Sequence, residues 1–246
     1  MIEAIVYLVS IAAAEAVTVF AQPLWGIVSH ALVLVAVLMH SALASDSRYR
    51  HLILSLALAP LVRIISLCMP LGNIPQIWWF PIIYAPILAA AIVVMRILGQ
   101  RAGEIGLNFK SFLIQLAVGL TGLLFGAVEY FILKPEPMIN ELTLPEVWLP
   151  ALILLLCPGF VEEFIFRGVL QKTAGEVFGG GWGIIYVSLL FAVLHMGFLS
   201  LIDVAFVFAV AVFFGWVVKK TGSLLGVTLA HGLTNILLYL VIPFFF

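Results

Sequence analysis

Apolar residues in this chain run in long unbroken blocks, not in the one-faced stripes of helices that meet water on the other side. A helix rising about 1.5 Å per residue needs about 20 apolar residues to cross a bilayer. Nine blocks reach or approach that length, at 2–20, 24–44, 52–69, 80–97, 112–133, 148–171, 182–200, 203–218 and 223–243. The pattern predicts an all-α, polytopic membrane bundle of eight or nine transmembrane helices. The count turns on Gln22-Pro23, the only break between the first two blocks, which leaves either a hairpin or one long kinked element. The first block has the look of a signal peptide but no basic leading region and no clear small-residue cleavage site, so it is read as part of the mature chain.

Composition agrees with the pattern. Of 246 residues, 65% are hydrophobic and 9% charged, more apolar surface than a soluble domain of this length can bury. A net charge of −1 without any basic run excludes nucleic acid as a partner, because phosphate binding needs clustered Lys and Arg. Membrane lipids are the surroundings instead. Cys68 and Cys157 both lie inside apolar blocks, where they read as packing residues and imply no disulfide framework.

The loops carry the orientation signal. With nine spans and a cytoplasmic N-terminus, the inner loops and span ends hold Arg48, Arg50, Arg96, Arg101, Lys110, Arg167, Lys172, Lys219 and Lys220, and the outer loops hold only Lys134. That asymmetry is the positive-inside pattern of a multi-pass cell-membrane protein, in style prokaryotic. Losing one of the first two helices would reverse only the N-terminus.

Against this background a few polar residues stand out. A charge at bilayer depth costs roughly 2.5–3.5 kcal/mol even on permissive insertion scales, so a cluster of them has a task. Glu162, Glu163 and Arg167 fall together in CPGFVEEFIFRGVLQK. At about 100° per residue, Glu163 and Arg167 share a helix face while Glu162 points away from it. Glu163 is then the salt-bridge partner, and Glu162, not neutralised by a guanidinium, is the candidate general base. Pro158-Gly159 just upstream can shift the local register, which keeps the reverse assignment open. A purely structural ion-pair knot is the competing reading of all three.

Two later blocks add imidazoles. His195 follows Phe191 by one helical turn, so the aromatic ring can pack on the histidine, and His231 precedes Asn235 by one turn, which makes a face with two hydrogen-bond donors for a developing oxyanion. By residue count, Glu162, His195 and His231 reach a common depth in the membrane. His30, His40 and His51 read as hydrogen-bonded packing residues. Glu15, Arg63 and Glu129 read as structural pairing, with either glutamate as the partner of Arg63. A proton-coupled transporter would use similar residues, but the chain lacks recognisable paired halves.

The order E-E-x-x-x-R (Glu162, Glu163, Arg167), F-x-x-x-H (Phe191, His195) and H-x-x-x-N (His231, Asn235) resembles the CAAX protease and bacteriocin-processing family of intramembrane endopeptidases, which includes the Ras-converting-enzyme type. The resemblance covers roughly residues 100–243, and EIGLNF before the fifth block looks like the entry to that region. It implies two parts, N-terminal transmembrane helices at 1–99 and a catalytic transmembrane core at 100–246. It also implies hydrolysis of peptide bonds near the C-terminal tail of peptide or prenylated-protein substrates reaching the site from the cytoplasmic leaflet. Under the resemblance, Glu162 and His195 hold and activate water, His231 and Asn235 steady the oxyanion, and Glu163, Arg167 and Phe191 shape the site. The metal-free, glutamate-dependent version of this chemistry is favoured, with no cofactor. In the metalloprotease version Glu162, His195 and His231 would hold zinc, although the H-E-x-x-H signature is absent. A non-catalytic protein of the same fold, acting in immunity or as a scaffold, is the alternative.

Overall fold

The computed structural model describes residues 2–69 and 71–246. Among them are nine helices long and apolar enough to cross a membrane, and the chain is an integral, multi-pass membrane protein. Each expected block overlaps one of these spans.

The first two blocks form a hairpin. Helix α1 (Ile2–Phe20) and helix α2 (Pro23–Leu43) are separated by extended backbone at Gln22, with Pro23 in the first turn of α2, where its missing N–H is no loss. A Cβ at Gly26 would lie 2.8 Å from the backbone of Thr18, so glycine there allows the two helices to close.

The third span is α3 (Ser47–Leu56) running into α4 (Leu58–Cys68). It begins earlier than the apolar block because Asp46 caps it, accepting from the backbone N–H groups of Arg48 and Tyr49. Next come α5 (Trp79–Ile97) and α6 (Phe112–Leu133).

The sixth span, Leu144–Phe178, is 35 residues long, well beyond the expected 148–171. It continues past Gln171 and Lys172 as α8 (Gln171–Phe178), a helix whose polar residues suit the membrane surface; hydropathy ends at that point but hydrogen bonding does not. Between α7 (Leu144–Leu154) and α8 the backbone is π-wound over Leu155–Glu162 and Phe164–Leu170. Pro158, which has no N–H to give the regular ladder, lies inside the first of these stretches. The register disturbance expected at Pro158-Gly159 is therefore present.

Helix α9 (Gly180–Val193) ends before its apolar block does, followed by a tight 3₁₀ turn at Met196–Phe198, α10 (Leu201–Thr221) and α11 (Leu225–Ile236), which extends as a π turn over Leu237–Val241. Helices α6 and α11 pack through small residues. A Cβ on Gly122 would come within 2.9 Å of Ala230 Cα, and one on Gly126 within 2.7 Å of the Thr234 carbonyl. Close backbone approach of this kind substitutes for the hydrophobic drive that lipid does not supply.

One apolar cluster includes Ala4, Leu52, Ile87, Phe164, Leu190 and Ala211, so the N-terminal spans and the later ones share a core. Glu15 is fully buried and pairs with Arg63, and His30 Nε2 lies 3.1 Å from the same carboxylate oxygen without hydrogen-bond alignment. Arg63 thus takes Glu15 as partner. Glu129 lies elsewhere, on the wall of the cavity around Glu162.

Loop contacts define the two ends of the bundle. One end is tied by Tyr49 donating to Glu3 at 3.0 Å, Asn108 donating to the Gly222 carbonyl at 2.7 Å, and Lys172 to Glu104 at 2.5 Å. The Lys172 hydrogen bond, helped by the Arg101 backbone N–H, holds the Glu104 carboxyl below the ordinary carboxylate range. At the other end the Met138 N–H donates to the Tyr239 carbonyl at 3.0 Å.

Candidate functional site

The π-wound middle of the sixth span sets the two adjacent glutamates in different surroundings. Gly159 makes this possible by letting the span sit against α11: a Cβ there would be 3.0 Å from Gly232 Cα. Glu163 faces the protein interior and its side chain is 0% exposed, while that of Glu162 is 16% exposed. Arg167 Nη1 donates to Glu163 Oε1 at 3.1 Å, and His231 Nδ1 lies 2.8 Å from the same oxygen. Arg167 is also held from above, its guanidinium 4.3 Å over the Phe191 ring. Glu163 is thus enclosed between two positive or potentially positive groups.

Glu162 has different company. It accepts a hydrogen bond from the Tyr84 hydroxyl, which reaches across from α5, and its Oε2 is 3.8 Å from His231 Nε2. His231 therefore bridges the pair, with one ring nitrogen on each glutamate.

His195 does not sit within a helix. Helix α9 stops at Val193 and His195 takes φ −93°, ψ 1° at the head of the 3₁₀ turn, the sparsely populated bridge region in which many active-site residues sit. Its Nδ1 is 2.9 Å from the Phe191 carbonyl oxygen. A carbonyl can only accept, so Nδ1 carries the hydrogen and Nε2 presents a lone pair. The Phe191 ring stands 4.6 Å from the imidazole centroid and restrains it further.

All seven residues singled out in the sequence, Glu162, Glu163, Arg167, Phe191, His195, His231 and Asn235, line one cavity of about 290 Å³. Asn235 is 9% exposed and its side-chain amide has no hydrogen-bond partner among the described residues, so that amide is available to whatever occupies the cavity.

Sequence reasoning missed three wall residues. Tyr84 and Tyr239 line the cavity; the available signal was a hydroxyl in mid-block, which needs a partner when buried. Glu129 lines it too, so this carboxylate belongs to the cavity wall and not to an Arg63 ion pair. Arg63 is satisfied by Glu15 on α1.

No three His, Cys, Asp or Glu side chains among the described residues are grouped so as to hold a metal ion. The set Glu162, His195 and His231 is not drawn together as such a group: His231 Nδ1 lies against Glu163, and its Nε2 stands 3.8 Å from Glu162.

Residues 144–237 match the family described as type II CAAX prenyl endopeptidase, Rce1-like. No curated protein and no solved structure matches the chain. The matched stretch begins with the sixth span and ends just after Asn235, so the part of the chain that resembles the Rce1-like family contains every one of the seven cavity residues read from the motifs.

Proposed function

We propose that this protein is an intramembrane endopeptidase that hydrolyses a peptide bond near the C-terminal tail of a peptide or prenylated protein, with Glu162 as general base. The observation that carries this reading is the unequal treatment of the two adjacent glutamates. Glu163 is tied up by Arg167 and His231, whereas Glu162 faces the cavity, held by one neutral hydroxyl.

The chemistry follows from the donors and acceptors in place. A water molecule between Glu162 and His195 gives one hydrogen bond to the carboxylate and one to the free Nε2 lone pair of His195. As its oxygen attacks the scissile carbonyl carbon, its proton passes to Glu162. The carbonyl π bond breaks and leaves an oxyanion. His231 as an imidazolium donates Nδ1–H to Glu163 and has Nε2–H for that oxyanion, and the Asn235 amide supplies a second donor. Collapse of the tetrahedral intermediate expels the amine, which takes the proton back from Glu162. Charge is conserved at each stage, and no step passes through a metal.

Replacing Glu162 or His195 with Ala, with folding checked by thermal unfolding in detergent, tests the proposal on a tail-peptide reporter. Loss of cleavage in folded variants is expected. Wild-type cleavage by either would overturn it, and a preserved biological effect without cleavage would point to the immunity or scaffold role. Reporter cleavage is expected to persist in strong chelators; reversible loss on chelation together with stoichiometric zinc would overturn the metal-free mechanism.

A further inference from the structure

The cavity has a mouth and a floor, and they lie at opposite ends of the bundle. Among the side chains that line it, Gln76 and Phe198 are exposed. Gln76 precedes α5 and Phe198 lies in the turn between α9 and α10, so both belong to the end marked by the Met138–Tyr239 backbone bond. Arg63 confirms the grouping, because its Nη2 lies 4.0 Å from the Cβ position of Gly197 in that same turn. At the far end the walls close. Glu163 is 0% and Arg167 3% exposed, and Arg167 separates the cavity from a shallow hollow bordered by Glu104, Lys172 and Lys219.

The positive charges outside the bundle interior are divided between these two ends very unequally. Arg48, Arg50, Arg96, Arg101, Lys110, Lys172, Lys219 and Lys220 all belong to the floor end, and Lys134 alone to the mouth end, where the same loop carries Glu136 and Glu141 and the first turn of α7 carries Glu146. Short loops rich in Lys and Arg stay on the cytoplasmic side during insertion.

Resting on the endopeptidase reading, we infer that the catalytic cavity opens toward the non-cytoplasmic face of the membrane and that the substrate enters from that face. This departs from the approach through the cytoplasmic leaflet that the family resemblance suggests. The departure has a structural cause: the glutamate pair and His195 are reached past α5 and the α9–α10 turn, whereas a route from the basic end would have to displace the Glu163–Arg167 ion pair. Such a displacement would strand two buried charges.

Side-specific thiol labelling decides the matter without depending on proteolysis. In a full-length C68A/C157A background expressed in a bacterial plasma membrane, single cysteines are placed by Q76C, by F198C and, at the floor end, by K220C. A membrane-impermeant maleimide applied to intact cells is expected to label Q76C and F198C to the extent reached after lysis, and K220C only after lysis. The reverse pattern would overturn the inference while leaving the hydrolase reading untouched. Sidedness of turnover provides the second arm, with right-side-out and inverted vesicles given a soluble, impermeant reporter peptide. Glu162-dependent cleavage by right-side-out vesicles alone is expected, and cleavage by inverted vesicles alone would overturn the inference. Absence of Glu162-dependent cleavage in both orientations would count against the endopeptidase reading, with labelling still deciding the face.

Discussion

Tyr84, on the fourth span, donates its hydroxyl hydrogen to Oε1 of Glu162, on the sixth. This bond fixes the carboxylate by a neutral group and leaves Oε2 toward His231. Tyr84→Phe is expected to lower kcat on a tail reporter about tenfold with KM little changed, since a hydrogen bond to a charged group contributes about 1.5–3 kcal/mol. Steady-state kinetics check it. An unchanged kcat would remove Tyr84 from any positioning role.

The two adjacent glutamates are expected to fail differently. Glu162→Gln should fold normally and lose a factor of about 10² to 10⁴ in turnover, the range of general-base catalysis. Glu163→Gln should instead lower thermal stability in detergent, because it strips the buried Arg167 of its countercharge, and breaking such a pair costs about 3–5 kcal/mol. Equal stability losses in both variants would contradict the division of labour.

Asn235→Ala removes an amide that has no hydrogen-bond partner among the described residues. Stability should be nearly unaffected, whereas turnover should fall by about 10² to 10³, the usual cost of deleting one oxyanion donor. Unfolding scans and kinetics on one preparation separate the two effects.

Gly122→Ala tests the seam between α6 and α11. Its new methyl would meet Ala230 backbone, which cannot rotate away as a side chain can, and the expected result is a marked fall in melting temperature. Overpacking commonly costs about 1–3 kcal/mol. A melting temperature unchanged by Gly122→Ala would mean that the seam is looser than described.

The Glu104–Lys172 bridge at the basic end has a defined pH dependence. The folded carboxyl lies below its ordinary value of 4.5, so the contribution is present above that value and is lost as pH falls through the folded one. Glu104→Gln should therefore cause a small drop in melting temperature at pH 7 that disappears in strong acid. A drop that persisted there would need another cause.

The nine spans were legible in the chain because bilayer crossing is a one-dimensional property: apolar length alone satisfies it, wherever neighbouring helices lie. Glu162, Glu163, Arg167, His195, His231 and Asn235 were legible for the same reason, as polar groups interrupting apolar length at helical spacing, and so was the basic asymmetry of the loops. Tertiary structure decided the rest. Arg63 met Glu15 and not Glu129, Tyr84 reached Glu162 from a distant span, and the cavity closed at Arg167 and opened by Gln76 and Phe198. These outcomes depend on how each helix is rotated and how closely glycine seams such as Gly122 against Ala230 let helices approach, and hydropathy, being blind to rotation, carries no record of either.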